Sequence, residues 1–336
     1  MTDREAARAA FLAAAGWADA RIDWRPSDAS FRRYARLERA GEHAILMDAP
    51  PPRERVAPFV WIAGLLAAAG LSTPAILAEN RVDGFLLLED FGDATFTALL
   101  DGGADAAPLY LLATDALIRL REAVPPRPAG LADYGPALRT AQLSTFRDWL
   151  WPEVMDPPSP AVRATFDALW LAALKAAPTL GRGLVHRDFH VDNLMRLDGR
   201  AGVAACGLLD FQDAAWGPFA YDLASLLEDA RRDLDPAVKA ACVDRYCAAV
   251  PGLDGAAVRA ALAVHGAQRH ARVAGLWVRL WRRDGKPGYL KHMKRTWTLL
   301  EAGLAHPLLA DVRDFLAAEF PVAARARAMA LQDQAP

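Results

Sequence analysis

The feature that most limits how this chain can fold is a change of hydrophobic rhythm near residue 94. Before it, apolar residues come in short runs closed by prolines, glycines or charged turns, the pattern of β-strands. After it they recur at three- and four-residue intervals over long stretches, the pattern of amphipathic helices. One polar loop, LVHRDFHVDNLM at 184–195, and two short apolar runs, 193–197 and 206–211, interrupt the helical part. This order predicts an α+β protein, with a small sheet-containing lobe followed by a larger, mostly helical one. At 336 residues the chain can give each lobe a core of its own.

The first lobe is expected over residues 1–90, the second over 91–336, and a short connection near 89–93. MTDREAARAAFLAAAG reads as an amphipathic helix with charges in its first turn, without the basic start and continuous apolar run of a signal peptide. RPSDASFRRYARLER (25–39) opens as a polar turn and continues as a strand; EHAILMDAPPP (42–52) is a strand stopped by three prolines. A helix over 54–69 tolerates Pro58 in its first turn. Residues 73–93 read as two strands around Asp83-Gly84. Helical spacing then covers 108–123, 137–151, 161–177, 219–231, 236–249, 255–283 and 288–303.

A net charge of −2 gives no reason to expect nucleic-acid or membrane attraction. The longest apolar stretches, such as WIAGLLAAAGL at 61–71, are too short to span a bilayer. The three cysteines, Cys206, Cys242 and Cys247, form no CxxC pair and read as free thiols of a reducing cytoplasm. The expectation is a cytoplasmic, monomeric protein whose partners are small molecules.

The polar loop places Asp188 five residues before Asn193, and GLLDFQDAAWGP (207–218) ends an apolar strand on Asp210. Phosphoryl transfer needs few groups from protein: a carboxylate near the attacking hydroxyl, oxygen ligands for magnesium, and a cradle for phosphates. Asp188 can accept a hydroxyl proton. Asn193 and Asp210 offer a neutral and a charged oxygen to Mg2+, which keeps several waters and takes one or two carboxylates. An Asp or Asn alone in a loop is usually a turn residue or a cap. The two motifs together, in this order, favour the kinase chemistry.

HRDFHVDN with LLDFQD resembles the aminoglycoside phosphotransferase and choline kinase family, a branch of the protein-kinase-like bilobal fold. The resemblance implies Asp188 as catalytic base, Asn193 and Asp210 as magnesium holders, and ATP, or GTP, as donor. SDASFRRY (27–34) resembles the phosphate-covering loop, with small residues Ser27, Ala29 and Ser30 where backbone amides can approach phosphates. LLLEDFGD (86–93) resembles the hinge that meets the adenine and names Glu89 and Phe91 by position. One departure stands out. Met47 falls where kinase-like folds place a phosphate-touching lysine, and Glu54 stands only at the start of the next helix. Lysine and partner are read as lost together, with Arg32 or Arg33 able to supply the missing charge.

Four stretches, SDASFRRY, MDAPPPRE, DFQDAAWGPFAYDLASLLEDAR and GAQRHARVAGLWVRLWRRDGKPGYLKHM (266–293), resemble one subfamily, the bacterial anomeric amino-sugar kinases. This implies phosphorylation of N-acetylmuramate and N-acetylglucosamine at the C1 hydroxyl in cell-wall recycling. His190, Gln212, Asp213 and Arg269 are the expected sugar-binding residues, with Arg269 or Arg272 for the lactyl carboxylate. Trp277 and Trp281 share a helix face, as core or as a sugar-stacking platform. Two competing readings are an aminoglycoside kinase, whose polycationic substrates favour an acidic pocket, and a nucleotide-binding module without turnover.

Overall fold

A computed structural model of the chain describes residues 3–25, 31–123 and 127–335. They divide into two compact units, Met1–Asp105 with Val191–Asp213, and Ala106–His190 with Ala214–Pro336. The chain crosses between units three times, once after Asp105 and once within each of the two sequence motifs.

The first unit begins with helix α1 (Asp3–Ala14), strands β1 (Arg21–Trp24), β2 (Arg33–Arg39) and β3 (Glu42–Asp48), and helix α2 (Ala57–Ala68). Strands β4 (Ile76–Asn80) and β5 (Phe85–Glu89) and helix α3 (Phe96–Asp101) follow. The five strands form one antiparallel sheet in the order β1-β2-β3-β5-β4. Strand alternation gives the sheet two faces. Phe11 and Leu12 of α1 pack on one, made of Ala35, Leu37, Ala44, Leu46, Phe85 and Leu87. Tyr34, Met47 and Leu86 belong to the other by register. Central strand β5 is buried from Phe85 to Leu88, so it is apolar without alternation. Gly84 turns with φ +73° at the β4–β5 corner, where a Cβ would lie 2.1 Å from the Ala49 carbonyl oxygen. Glycine is therefore required by backbone angle and by space.

The second unit contains α4 (Ala106–Ala123), α5 (Pro136–Ala141), α6 (Trp151–Val154), α7 (Pro160–Ala176) and strand β6 (Arg182–Val185). After the excursion through β7 (Leu194–Arg196) and β8 (Cys206–Leu208) of the first unit come β9 (Ala215–Pro218), α8 (Ala220–Leu227) and α9 (Pro236–Ala249). It ends with α10 (Gly255–Asp284), α11 (Met293–Leu304), α12 (Ala310–Glu319) and α13 (Val322–Ala330). An aromatic core of Phe146, Trp151, Phe166, Trp170, Trp277, Trp297 and Phe320 lies around α10. No helix among the described residues is long and apolar enough to cross a membrane.

The expected helix over 137–151 is broken. Residues after α5 turn, and Phe146–Leu150 wind as a π-helix. The cause lies across the core at Gly275: a Cβ there would sit 2.1 Å from the Thr145 carbonyl carbon. Thr145 also donates its hydroxyl to the Arg272 carbonyl at 2.7 Å. The backbone of 145–146 is thus pressed onto α10, and the ladder distorts to allow it. Trp277 is core: it is 2% exposed, stacked on Tyr289 at 5.2 Å, and its indole N–H donates to Thr296.

Candidate active site

In the second unit, β6 pairs antiparallel with β9 and delivers His186, Arg187 and Asp188 from its end. Gly183 is needed in β6 because a Cβ would meet the Phe219 ring at 2.2 Å. Arg187 takes φ +76°, a conformation that costs a non-glycine residue about 1–3 kcal/mol. Buried Asp222 of α8 holds it there: its carboxylate accepts the backbone N–H of His186 at 2.5 Å and that of Arg187 at 2.9 Å. Burial raises the Asp222 pKa, against the lowering effect of His186 and the two amides. His186 is buried, and its Nδ1 accepts the Asp188 amide at 3.3 Å. Asp222 anchors the loop rather than capping α8, whose N-cap position is Phe219.

The Asp188 carboxylate is 37% exposed and lies 3.9 Å from the Arg272 guanidinium. Burial pushes its pKa up, but Arg272, then Arg269, His186 and Arg187, outweigh this and hold it below the ordinary carboxylate value. Arg269 and Arg272 are three apart on α10 and share a face. Arg269 is 2% exposed, and its Nε and Nη1 find no hydrogen-bond partner among the described residues. Its charge also acts on buried His190, which burial, Arg231 and Arg269 keep neutral by lowering its pKa well below the ordinary value. Behind this face Arg139 is buried, donating to Gln268 Oε1 at 2.9 Å and contacting His265 Nδ1. Tyr134 and Tyr221 stack edge to face at 5.0 Å, with the Arg187 guanidinium over Tyr134 and that of Arg139 over Tyr221. The cations around Asp188 thus outweigh both its burial and the neighbouring acid Asp222. Gln268 and His270 point inward, the latter through Nε2 to the Glu228 carbonyl at 2.9 Å.

In the first unit, β7 and β8 form an antiparallel pair with Leu194 opposite Leu208. Asn193 precedes this pair, and the Leu209 N–H donates to its carbonyl at 2.9 Å. The ladder thus brings Asn193 and Asp210 to one end of a two-stranded unit. Asp210 takes φ +58°, the second non-glycine positive φ within the motifs. Its side chain is 48% exposed and accepts Gln212 Nε2 at 2.8 Å. One carboxylate and one carboxamide at one ladder end suit a hard dication that keeps part of its water shell. The same end carries exposed Asp213.

On the sheet, Arg32 lies 3.7 Å from Glu54 and 3.8 Å from Asp210. Arg33 has its guanidinium 4.0 Å over the Trp24 ring. Met47 is fully buried and pairs with Tyr34. Glu89 is tied to Arg200 and to the Ala75 amide, and the Phe91 ring packs against Gly207 and under Arg200. Ser27, Ala29 and Ser30 lie outside the described residues. The structure thus gathers Arg32, Glu54, Asp210 and Gln212 in the first unit, and Asp188, His190, Arg269 and Arg272 in the second. Arg139, His265 and Tyr134 carry no motif, and nothing in their local sequence announces them.

A family model described as phosphotransferase enzyme family matches residues 25–265. The chain is 38% identical to the N-acetylmuramate/N-acetylglucosamine kinase of Caulobacter vibrioides, over 96% of this chain and 99% of that one. It is 38% identical to the N-acetylmuramate/N-acetylglucosamine kinase of Pseudomonas aeruginosa, over 87% and 86% respectively. A choline/ethanolamine kinase family protein from Mesorhizobium loti shares the fold with a TM-score of 0.62 at 15% identity, covering 96% of this chain and 99% of that one. Choline kinase from Streptococcus pneumoniae superposes with a TM-score of 0.60 at 11% identity, over 90% and 100%.

Proposed function

The chain belongs to the phosphotransferase enzyme family, and on that premise we propose that it moves the γ-phosphoryl group of ATP to the anomeric C1 hydroxyl of N-acetylmuramate and N-acetylglucosamine. It is a small-molecule kinase with the protein-kinase-like fold. The observation that carries the substrate is the near full-length match to kinases named for these two sugars.

In this reading Asp188 orients the C1 hydroxyl and takes its proton as the O–P bond forms. The bond from the γ-phosphorus to the β–γ bridging oxygen breaks, and ADP leaves with the electron pair. An anomeric hydroxyl is more acidic than an ordinary alcohol. A carboxylate weakened as a base by Arg272 and Arg269 therefore suffices, acting as much by position as by proton affinity. Asp222 keeps the loop in its strained shape. Asn193 and Asp210 would hold magnesium, which when bound neutralises charge on the phosphates. Residues 1–90 are assigned to the nucleotide, with Glu89 and Phe91 at its base side and the 27–34 segment over its phosphates. Residues 91–336 are assigned to the catalytic loop and the sugar.

Arg269, with Arg272, is assigned to the lactyl carboxylate, because a buried guanidinium with unmatched N–H groups calls for an anion. His190, Gln212 and Asp213 are assigned to sugar hydroxyls or the N-acetyl group. The same arginines oppose a polycationic aminoglycoside. The protein is taken to act as a cytoplasmic monomer in amino-sugar recovery during cell-wall recycling.

The test is magnesium-dependent ADP release from ATP, and from GTP in parallel as GDP, with N-acetylmuramate, N-acetylglucosamine and kanamycin, beside Asp188→Asn. Turnover on the two sugars that disappears in the variant is expected. Turnover on kanamycin alone, or nucleotide binding without any turnover, would overturn the reading.

A further inference from the structure

We propose that Arg32 supplies the phosphate-binding charge that this fold ordinarily takes from a strand lysine, and that Glu54 and Asp210 position it. The proposal rests on reading the chain as a nucleotide-dependent phosphotransferase. It goes further by choosing one residue and giving it a positioning partner.

Strand alternation decides between the two arginines. Ala35 and Leu37 face α1, so Arg33, two residues before Ala35, takes that side. Its guanidinium rests on Trp24, where Arg8 also lies over the ring. Arg32 and Tyr34 take the opposite face. Tyr34 is in register with Met47, the position of the absent lysine. Burial raises the Tyr34 phenol to about 12, and the charges acting on it are Arg32, Asp210 and Glu54. The cationic head is thus returned to the face where a lysine at 47 would have placed it, from a neighbouring strand.

Glu54 completes the substitution. It stands ahead of α2, so it reads as a stray acid, yet one carboxylate oxygen lies 3.7 Å from Arg32 and the other accepts the Phe31 N–H at 3.2 Å. It therefore fixes both the arginine and the backbone leading to it. Acid and cation are both retained, on different elements, where the sequence suggested that both were gone. Arg32 is only 12% exposed, with the Glu54 and Asp210 carboxylates at 3.7 and 3.8 Å. Phosphate oxygens can offer it shorter, charge-assisted contacts. Asp210 would also hold magnesium, and a cation there would weaken that carboxylate's hold on Arg32.

The test is titration calorimetry of the full chain with adenosine, AMP, ADP and ATP in magnesium, on wild type, Arg32→Met, Arg32→Lys and Arg33→Met. Arg32→Met should weaken ADP and ATP by roughly tenfold or more, the loss of one charge-assisted contact, and leave adenosine unchanged. Arg32→Lys should recover part of the loss, and Arg33→Met should keep all four ligands within about twofold. Should Arg32→Met fail to fold, Glu54→Gln loosens the arginine without removing it, and should weaken ADP and ATP less while sparing adenosine. Equal losses on all four ligands, or a larger effect from Arg33→Met, overturns the assignment. Wild type that binds no nucleotide overturns the phosphotransferase reading itself, whereas wild-type binding with Arg32→Met indistinguishable from it removes Arg32 alone.

Discussion

Asp188 and Asp210 both follow short strands, and both lie beside a non-glycine residue, or are one, held at positive φ. Their surroundings have opposite sign. Asp210 is half-exposed and shares Arg32 with Glu54. Asp188 meets Arg272 at 3.9 Å and feels Arg269, Arg187 and His186, while Asp222 spends its carboxylate on backbone amides. An acid-rich cluster keeps negative charge to offer a cation. An arginine-rich cluster leaves its carboxylate ionised but weakly basic and keeps spare N–H groups for an anion. One residue type thus serves two purposes, and neighbours rather than backbone decide which.

The strongest way to break this comparison is Asp188→Asn. Turnover should fall by about 10²–10⁴-fold, the usual contribution of a positioned base, with nucleotide affinity unchanged. A matching loss of nucleotide affinity in calorimetry would erase the distinction between the two clusters. Next in size is Arg269→Met, which should raise KM for N-acetylmuramate by roughly tenfold or more while changing KM for N-acetylglucosamine far less. Equal shifts for the two sugars would remove the carboxylate role.

Gly275→Ala sharpens the structural side. A Cβ must displace the backbone of 145–146, so chemical denaturation should show a loss of about 1–3 kcal/mol. The smallest effect concerns pH. Because Asp188 is held below the ordinary value, the acid limb of kcat/KM due to it lies below about pH 3.9, and Arg272→Met should move that limb upward. The sign for stability agrees. A depressed carboxylate contributes stability above its unfolded pKa and loses it as pH falls through the folded one.

Legibility from sequence followed the range of each interaction. The α9 and α10 boundaries at 236–249 and 255–284 match their periodic patterns closely, since burial of a helix face is a local property repeated many times. Strand β1 escaped because RIDW is four residues long and only partly buried. The break at 142–150 could not be read, because its cause is a glycine more than a hundred residues away. Asn193 and Asp210 stood out because their spacing is set by one short ladder, and Asp188 because it stands five residues before Asn193 in the same polar loop. Asp222 and Arg272 reach the loop from distant helices, so which groups of the loop they meet could not be read from spacing. Arg32 against Arg33 was decidable from alternation alone, had the turn before β2 been given a register.

The excursion of residues 191–213 into the first unit has a consequence for how the protein is made. Phe211 packs at a tilt against Phe59, ring centroids 4.6 Å apart, and Gly207 backs the Phe91 ring. A ribosome that has released residue 105 has therefore not yet supplied everything that covers those side chains. The first unit cannot finish folding until synthesis has passed residue 213, so its early sheet must wait, partly uncovered, while Ala106–His190 of the second unit emerge.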